Sequence, residues 1–374
     1  MDNIDVDDDN NTVLSQITEI RTLLEKSLEL NNNTNNSAWI KLCDLAKFEY
    51  KNDCDEVNKQ IKDIFEHYSI DNTKNKSIAL CNYYKNLNLS EKECESKLNE
   101  YYEFATKADN VSLLEASVIS LMKFYAKIGK KESVNRIVDE YEKYYIPSDN
   151  FEYQKMKIYV FYLGLYKDAE LVLIEKSLHS AQYRELLYIL YYKTHQSEKL
   201  KQIIDNFYKN DIEKEIDYNY CIENHSKVCD LIQEYWKTHK KNMDKVVDYA
   251  YALIKDRKYN DAYQFLKKFY EKPGNIDGAL YINYFIAKLN NGASREGVNK
   301  DIQNKIIDNS KCFSYDVIAA AYAMLRKERE MYEYMRKALK ENISLKFCMP
   351  LWPVFDEYKN NEKFVSLTDT TGLI

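Results

Sequence analysis

Histidine and cysteine have the widest chemical repertoire of the side chains in this chain, and their spacing offers little to catalysis. The histidines are His67, His179, His195, His225 and His239. None forms His-x-x-x-His or His-Glu-x-x-His, the spacings that present two imidazoles to zinc from one helical face. His195 falls in an expected turn and His67 near a helix end, positions that suit surface or capping roles. Cys221, His225 and Cys229 follow at one-turn intervals. They form the one stripe that resembles a metal face, but three candidate ligands on a single helix need a fourth converging group. A half-buried helix face is therefore expected there, with no metal and no cofactor. The remaining cysteines are Cys43, Cys54, Cys81, Cys94, Cys312 and Cys348. No Cys-x-x-Cys occurs, the spacing is irregular, and the share is too small for a disulfide scaffold. Reduced, buried thiols are expected, and no apolar stretch follows a basic start. Together these predict a cytoplasmic protein in which the sequon Asn88-Leu89-Ser90 goes unused.

The motifs of enzymes are also missing. No Gly-rich phosphate loop and no Gly-x-Ser-x-Gly elbow is present. The carboxylates Asp53, Asp55 and Glu56 sit in a polar stretch and read as a helix start. The expectation is a non-enzyme. A metal-dependent enzyme stands as a third possibility behind two binding functions.

The elements that would position any site are helices. The chain has 374 residues but only 7 Gly and 4 Pro. Folds of the β and α/β classes use these residues at many turns, so both classes are disfavoured. Hydrophobic residues at 45% and charged residues at 30% exclude a wholly disordered chain. No run has the length of a membrane span. The net charge is −6, and Asp2, Asp5, Asp7, Asp8 and Asp9 supply five of those charges. The body is close to neutral, which argues against nucleic acid. The acidic head lacks the Gly and closing Glu of a calcium loop and is expected to be a solvated tail. The 34 tyrosines accompany abundant Lys, Asn and Ile, the bias of an AT-rich genome.

Helical periodicity begins at Val13–Leu30, where Leu14, Ile17, Ile20, Leu24 and Leu28 recur, and the Asn31–Asn36 run ends it. From Ala38 onward, helical segments of roughly 12–16 residues follow one another across short polar turns. The clearest pair spans Val246–Pro273. Its first helix presents Val246, Tyr249, Ala250 and Leu253, and a tight turn follows at Asp256–Lys258. Tyr259, Ala262, Leu266 and Phe269 mark the second helix, which Pro273 ends. Ala250 and Ala262 are small enough to let the two helices approach closely.

This pair resembles the tetratricopeptide repeat, a 34-residue helix-turn-helix unit. Val246 and Ala250 stand where the family usually has Trp and Gly. The frame recurs at Val57, Cys94, Val134, Ala169, Leu200, Leu231, Ala262, Val298 and Met331, at intervals of roughly 31–40 residues. Gly164, Tyr166 and Ala169 repeat its turn and second-helix positions, as do Gly129 and Val134 in the preceding unit. Pro353, Phe355, Asp356, Lys363 and Phe364 are similar to a closing segment of many bacterial tetratricopeptide proteins. That likeness implies a bacterial source and a cap in which Trp352, Phe355, Phe364 and Leu367 cover an apolar end face.

The resemblance implies an all-α, right-handed α-solenoid of about eight or nine helical pairs. Residues 1–36 would form the acidic head, short helix and Asn-rich linker, residues 37–342 the solenoid, and residues 343–374 the cap. First helices would line a concave groove with Lys123, Lys127, Lys155, Tyr162, Glu185, Tyr192, Lys193, Tyr251 and Lys255. Lysines among tyrosines suit an extended peptide with acidic groups; they also suit an ordinary solvated surface. The implied function is a non-catalytic scaffold or adaptor that binds protein or peptide, without nucleic acid or membrane. The alternative is a ligand-operated regulator similar to bacterial peptide-pheromone receptors, although Val13–Leu30 is short for their N-terminal module. Pairing of end repeats into a homodimer is left open.

Overall fold

The computed structural model describes residues 7–30, 36–49, 54–67, 82–84, 87, 89–108, 110–239, 243–271, 277–371 and 373. Every regular element among them is helical. The chain divides into two compact units, Met1–Phe151 and Glu152–Ile374.

The first unit contains α1 (Asp7–Leu30), α2 (Asn36–Glu49), α3 (Cys54–His67), α4 (Glu91–Lys107), α5 (Val111–Lys127) and α6 (Lys131–Tyr144). Neighbours in sequence pack on each other. Helix α1 starts at Asp7, earlier than the apolar periodicity predicted, so part of the expected acidic tail is helical. Aspartates in a first turn face the positive end of the helix dipole, which favours this start. Residues 31–35 of the expected Asn linker lie outside the described residues, and Asn36 already belongs to α2. Helix α4 is opened by a reciprocal cap: Glu93 N–H donates to the Ser90 hydroxyl, and Ser90 N–H donates to the Glu93 carboxylate.

The second unit begins with α7 (Asp149–Ile158), of which the first residues precede its boundary, and a π-helical turn at Tyr159–Leu163. It continues through α8 (Tyr166–Ser177), α9 (Ala181–Lys193), α10 (Ser197–Phe207), α11 (Ile212–Cys221) and α12 (His225–Thr238). Then come α13 (Met243–Lys255), α14 (Tyr259–Tyr270), α15 (Gly278–Asn290), α16 (Arg295–Ile302), α17 (Tyr315–Met324) and α18 (Glu328–Glu341). Consecutive helices stack as pairs from α7/α8 to α17/α18. Each frame position read from the sequence, from Val57 to Met331, is buried, and those from Val134 onward lie on the second helix of a pair. Ala250 and Ala262 are fully buried between α13 and α14. Pro273 lies outside the described residues, and α14 ends before it at Tyr270.

The backbone repeats more faithfully than the side chains. Most first helices end on a residue in the left-handed region, and the residue after it donates its N–H to a carbonyl one turn back. Gly129, His195, Glu223, Arg257, Gly292 and Arg326 all have positive φ, as does Gly164 after the π-helical turn. Lys130 N–H donates to the Tyr125 carbonyl, Lys258 N–H to that of Leu253 and Lys327 N–H to that of Tyr322, at 2.8, 2.8 and 3.0 Å. This is the Schellman closure, which satisfies orphan carbonyls and reverses the chain within two residues.

The C-terminal stretch forms α19 (Leu345–Cys348), 3-10 turns at Met349–Leu351 and Pro353–Tyr358, and α20 (Glu362–Thr368). Phe355 and Phe364 are buried in the core formed by α15, α17 and α18, and Trp352 and Leu367 pack against it. The segment also reaches a second core. Ile343, Phe347 and Leu373 pack on the core of α7–α10, and the Phe347 ring meets Tyr166 at 5.8 Å. Gly164 leaves room for this return, since a β-carbon there would stand 3.1 Å from Ile343 Cγ2.

Candidate functional site

The first helices of the second unit bring side chains from five successive pairs around one cavity of about 290 Å³. Tyr192 and Lys193 come from α9, Tyr220 from α11, Val247 and Tyr251 from α13, Ala279 and Asn283 from α15, and Asp316 from α17. Its remaining wall is the C-terminal segment, through Leu345, Cys348, Met349, Leu351 and Trp352. Two of the left-handed turn residues, His195 and Glu223, also face it.

The wall is aromatic and ordered. Tyr220 and Tyr251 stack at 5.1 Å, and His225 meets both rings edge-on at 6.1 and 5.9 Å. Behind them, a polar chain ties α9, α11 and α13 together. The Tyr188 hydroxyl donates to Asp217, and the Lys245 ammonium lies 3.8 Å from Asp217 and 3.3 Å from Asp248. Burial raises the Asp217 carboxyl, while Tyr188 and Lys245 act in the opposite direction.

The C-terminal segment is held by side chains that reach its backbone. The Tyr251 hydroxyl donates to the Leu351 carbonyl at 2.9 Å, and Lys255 Nζ donates to the same oxygen at 3.3 Å. Trp352 Nε1 donates to Asn283 Oδ1 at 3.2 Å. Lys255 also faces Glu223 at 3.5 Å. Burial holds the phenols of Tyr192, Tyr220 and Tyr251 well above their ordinary range, so they remain neutral donors. Burial likewise lowers His195 and His225, and the Lys255 charge adds to the effect on His225. Both imidazoles are therefore neutral near pH 7. Cys348 opens onto the cavity but has protein on its other sides. That crowding raises its thiol, Lys193 opposes the rise and Asp316 adds to it.

Of the nine groove positions read from the sequence, Tyr192, Lys193 and Tyr251 line the cavity, and Lys255 stands at its edge. Lys123 and Lys127 are on α5 in the first unit, where Lys127 reaches Asn82 Oδ1 at 3.4 Å. Lys155 pairs with Glu152 at 2.9 Å, and Tyr162 lies in the π-helical turn. Glu185 accepts from Tyr208 at 2.8 Å and from Lys214 at 2.7 Å, bridging α9 to α11 rather than facing the cavity.

No family model matches this chain, and no curated protein does. Among solved structures it is similar to a chain of the APC/C hetero-tetramer Cut9-Hcn1. The two are 10% identical over 96% of this chain and 90% of that one, with a TM-score of 0.29. A score of that size carries no conclusion, and the fold rests on the helices themselves.

Several cavity residues were not singled out by the sequence reading. Tyr220 stands as far before Leu231 as Tyr251 does before Ala262, so the frame contained it. His195 and Glu223 carry no such signal, because turn residues vary freely in type. The Cys221–His225–Cys229 stripe is not one helix face. Cys221 ends α11, the Glu223 turn intervenes, and His225 opens α12. The described residues contain no group of three His, Cys, Asp or Glu side chains placed to hold a metal. No described helix is long and apolar enough to cross a membrane.

Proposed function

We propose that this chain is a non-catalytic scaffold or adaptor of the tetratricopeptide kind that holds a protein or extended peptide on the inner face of its second unit. The observation that carries this reading is the grip of Tyr251 and Lys255 on the Leu351 carbonyl. The face already binds a stretch of polypeptide by its backbone, with aromatic walls for side chains on either side. Such contacts do not depend on the sequence of the bound segment, which suits recognition of extended chains. Tyr192, Lys193, Tyr251 and Lys255 are the contacts proposed for the partner.

A ligand-operated regulator is the second reading, and one observation favours it. The C-terminal segment lies where a partner would lie, so the two compete, and binding would shift the population of segment-bound and segment-released forms.

Affinity capture from the native cell tests the first reading. The wild-type chain should retain a specific protein, and Lys193→Glu combined with Tyr251→Ala should lose it with the helical content unchanged. Retention by the double variant would reject the inner face. Small-angle scattering of the chain with the captured segment separates the readings: a rise in radius as the C-terminal segment is released identifies the regulator, and an unchanged radius the scaffold.

A further inference from the structure

The cavity holds an imidazole without a hydrogen-bond partner and two charges without an ion pair among the described residues. His225 is 7% exposed, and neither ring nitrogen has a hydrogen-bond partner. Its nearest carboxylate, on Glu223, is 4.0 Å away, outside hydrogen-bond range. Lys193 lies 5.5 Å from the centre of the Phe161 ring and takes no ion pair among the described residues. Asp316 likewise has no ion pair or side-chain hydrogen bond there. The other facing charge, Glu223, is matched by Lys255. One cation and one anion on the cavity wall are thus left over, and they act on the Cys348 thiol in opposite senses.

A buried, unpartnered imidazole is costly unless something fills its valence. The volume, about 290 Å³, is near the lower end of small-molecule sites, which run from about 300 to 1,000 Å³. It suits a ligand of amino-acid size rather than a folded element. The walls are ring faces and edges from Tyr192, Tyr220, Tyr251 and Trp352, the surroundings preferred by another planar ring.

We propose that this cavity binds a free aromatic amino acid, or a small molecule with the same chemistry: a planar ring with a polar hydrogen, flanked by one carboxylate and one ammonium. The ring lies among the tyrosines. The carboxylate meets Lys193 and the ammonium meets Asp316. An indole N–H or phenol O–H donates to the neutral imidazole of His225. The unmatched pair of opposite charges distinguishes a free zwitterion from a residue within a peptide, whose backbone amides carry neither charge. Leu345, Met349 and Trp352 belong to the wall, so an occupied site also fastens the C-terminal segment. This inference goes beyond the partner-binding function and stands whether or not a protein uses the same face.

Titration calorimetry on the full chain tests it with L-tryptophan, L-tyrosine, L-phenylalanine, L-leucine, N-acetyl-L-tryptophan and L-tryptophanamide. Tryptophan or tyrosine should bind. Phenylalanine should be weaker by up to about tenfold, the worth of one hydrogen bond to a buried acceptor. Either blocked derivative should lose at least about tenfold, since a charge-assisted contact is worth about 1.5–3 kcal/mol. Lys193→Met should make the amide and the free acid equivalent, and Asp316→Asn should do the same for the acetylated and free amines. Bound tryptophan should slow amide exchange at residues 345–352. No binding of any compound at millimolar concentration would overturn the proposal. So would equal binding of leucine, or blocked forms that bind as well as tryptophan.

Discussion

The two units use the same helix-pair module to different ends. In the first, α5 is enclosed by α4 and α6 and buries residues on nearly every side, from Leu114 to Ala126. In the second, the helices α9, α11, α13, α15 and α17 leave a hollow between them, and the chain's own C-terminal segment forms its far wall. Helices of one kind thus give a closely enclosed helix in one region and a lined cavity in the other. The difference teaches that the cavity depends on number and return. Five successive first helices must face a common space, and a later segment must cross it. Lysines and tyrosines alone do not make such a site: Lys123 and Lys127 share the first-helix frame with Lys193 but do not line this cavity.

Core truncations break the comparison most strongly. Phe124 and Phe355 are both fully buried, one in each unit. Phe355→Ala should cost about 3–5 kcal/mol in the second unit, and Phe124→Ala a similar amount in the first. Amide exchange resolved by residue should show faster exchange confined to the unit that carries the substitution. Equal loss in both units would mean that they unfold together. Overpacking ranks next. A β-carbon on Gly278 would stand 2.6 Å from Val317 Cγ1, where α15 approaches α17. Gly278→Val should destabilise the second unit by about 1–3 kcal/mol in denaturant unfolding, whereas a change of nothing would show that the approach is slack.

Acid should act on the second unit as well. His195 and His225 are lowered in the folded state, so the unfolded chain takes up protons first as pH falls below about 6.5. Their contribution is present in full above that pH and is lost as pH falls toward their folded values. Melting temperature should drop across this window, and His225→Gln should flatten the slope. An unchanged slope would show that His225 titrates as it does in the unfolded chain. The smallest effect concerns the turns. Arg257 and Arg326 hold φ of 61° and 57°, a conformation that costs an L-residue about 1–2 kcal/mol. Replacing either by Gly should raise stability by about 0.5–1 kcal/mol, the strain relieved less the extra entropy of the unfolded chain. A loss of stability would show that the arginine side chains are needed there.

Much of the fold was legible because the second helix of each pair must bury one position whatever the residue, and Val134, Ala169 and Met331 all mark it. The Val246–Pro273 pair was readable down to its small residues. The turns were less legible. Gly129 and Gly164 announce a left-handed residue, but His195, Glu223, Arg257 and Arg326 adopt the same conformation without any compositional sign. The start of α1 was missed because aspartates that read as solvated also stabilise a first turn. At the site, Tyr192, Lys193, Tyr251 and Lys255 followed from the frame. Their far wall did not, since Tyr251 and Leu351 are 100 residues apart, and no local pattern encodes such a contact. Glu185 is tied by contacts of the same kind, to Tyr208 just after α10 and to Lys214 on α11.

A photoreactive phenylalanine analogue placed at Val247, on the cavity wall, and separately at Lys123, in the first unit, would test the binding role of the second unit most directly. Irradiation in the native cell should give a defined crosslinked partner from position 247 and none from position 123. Crosslinks from position 123 alone, with none from 247, would contradict the placement of the binding face on the second unit.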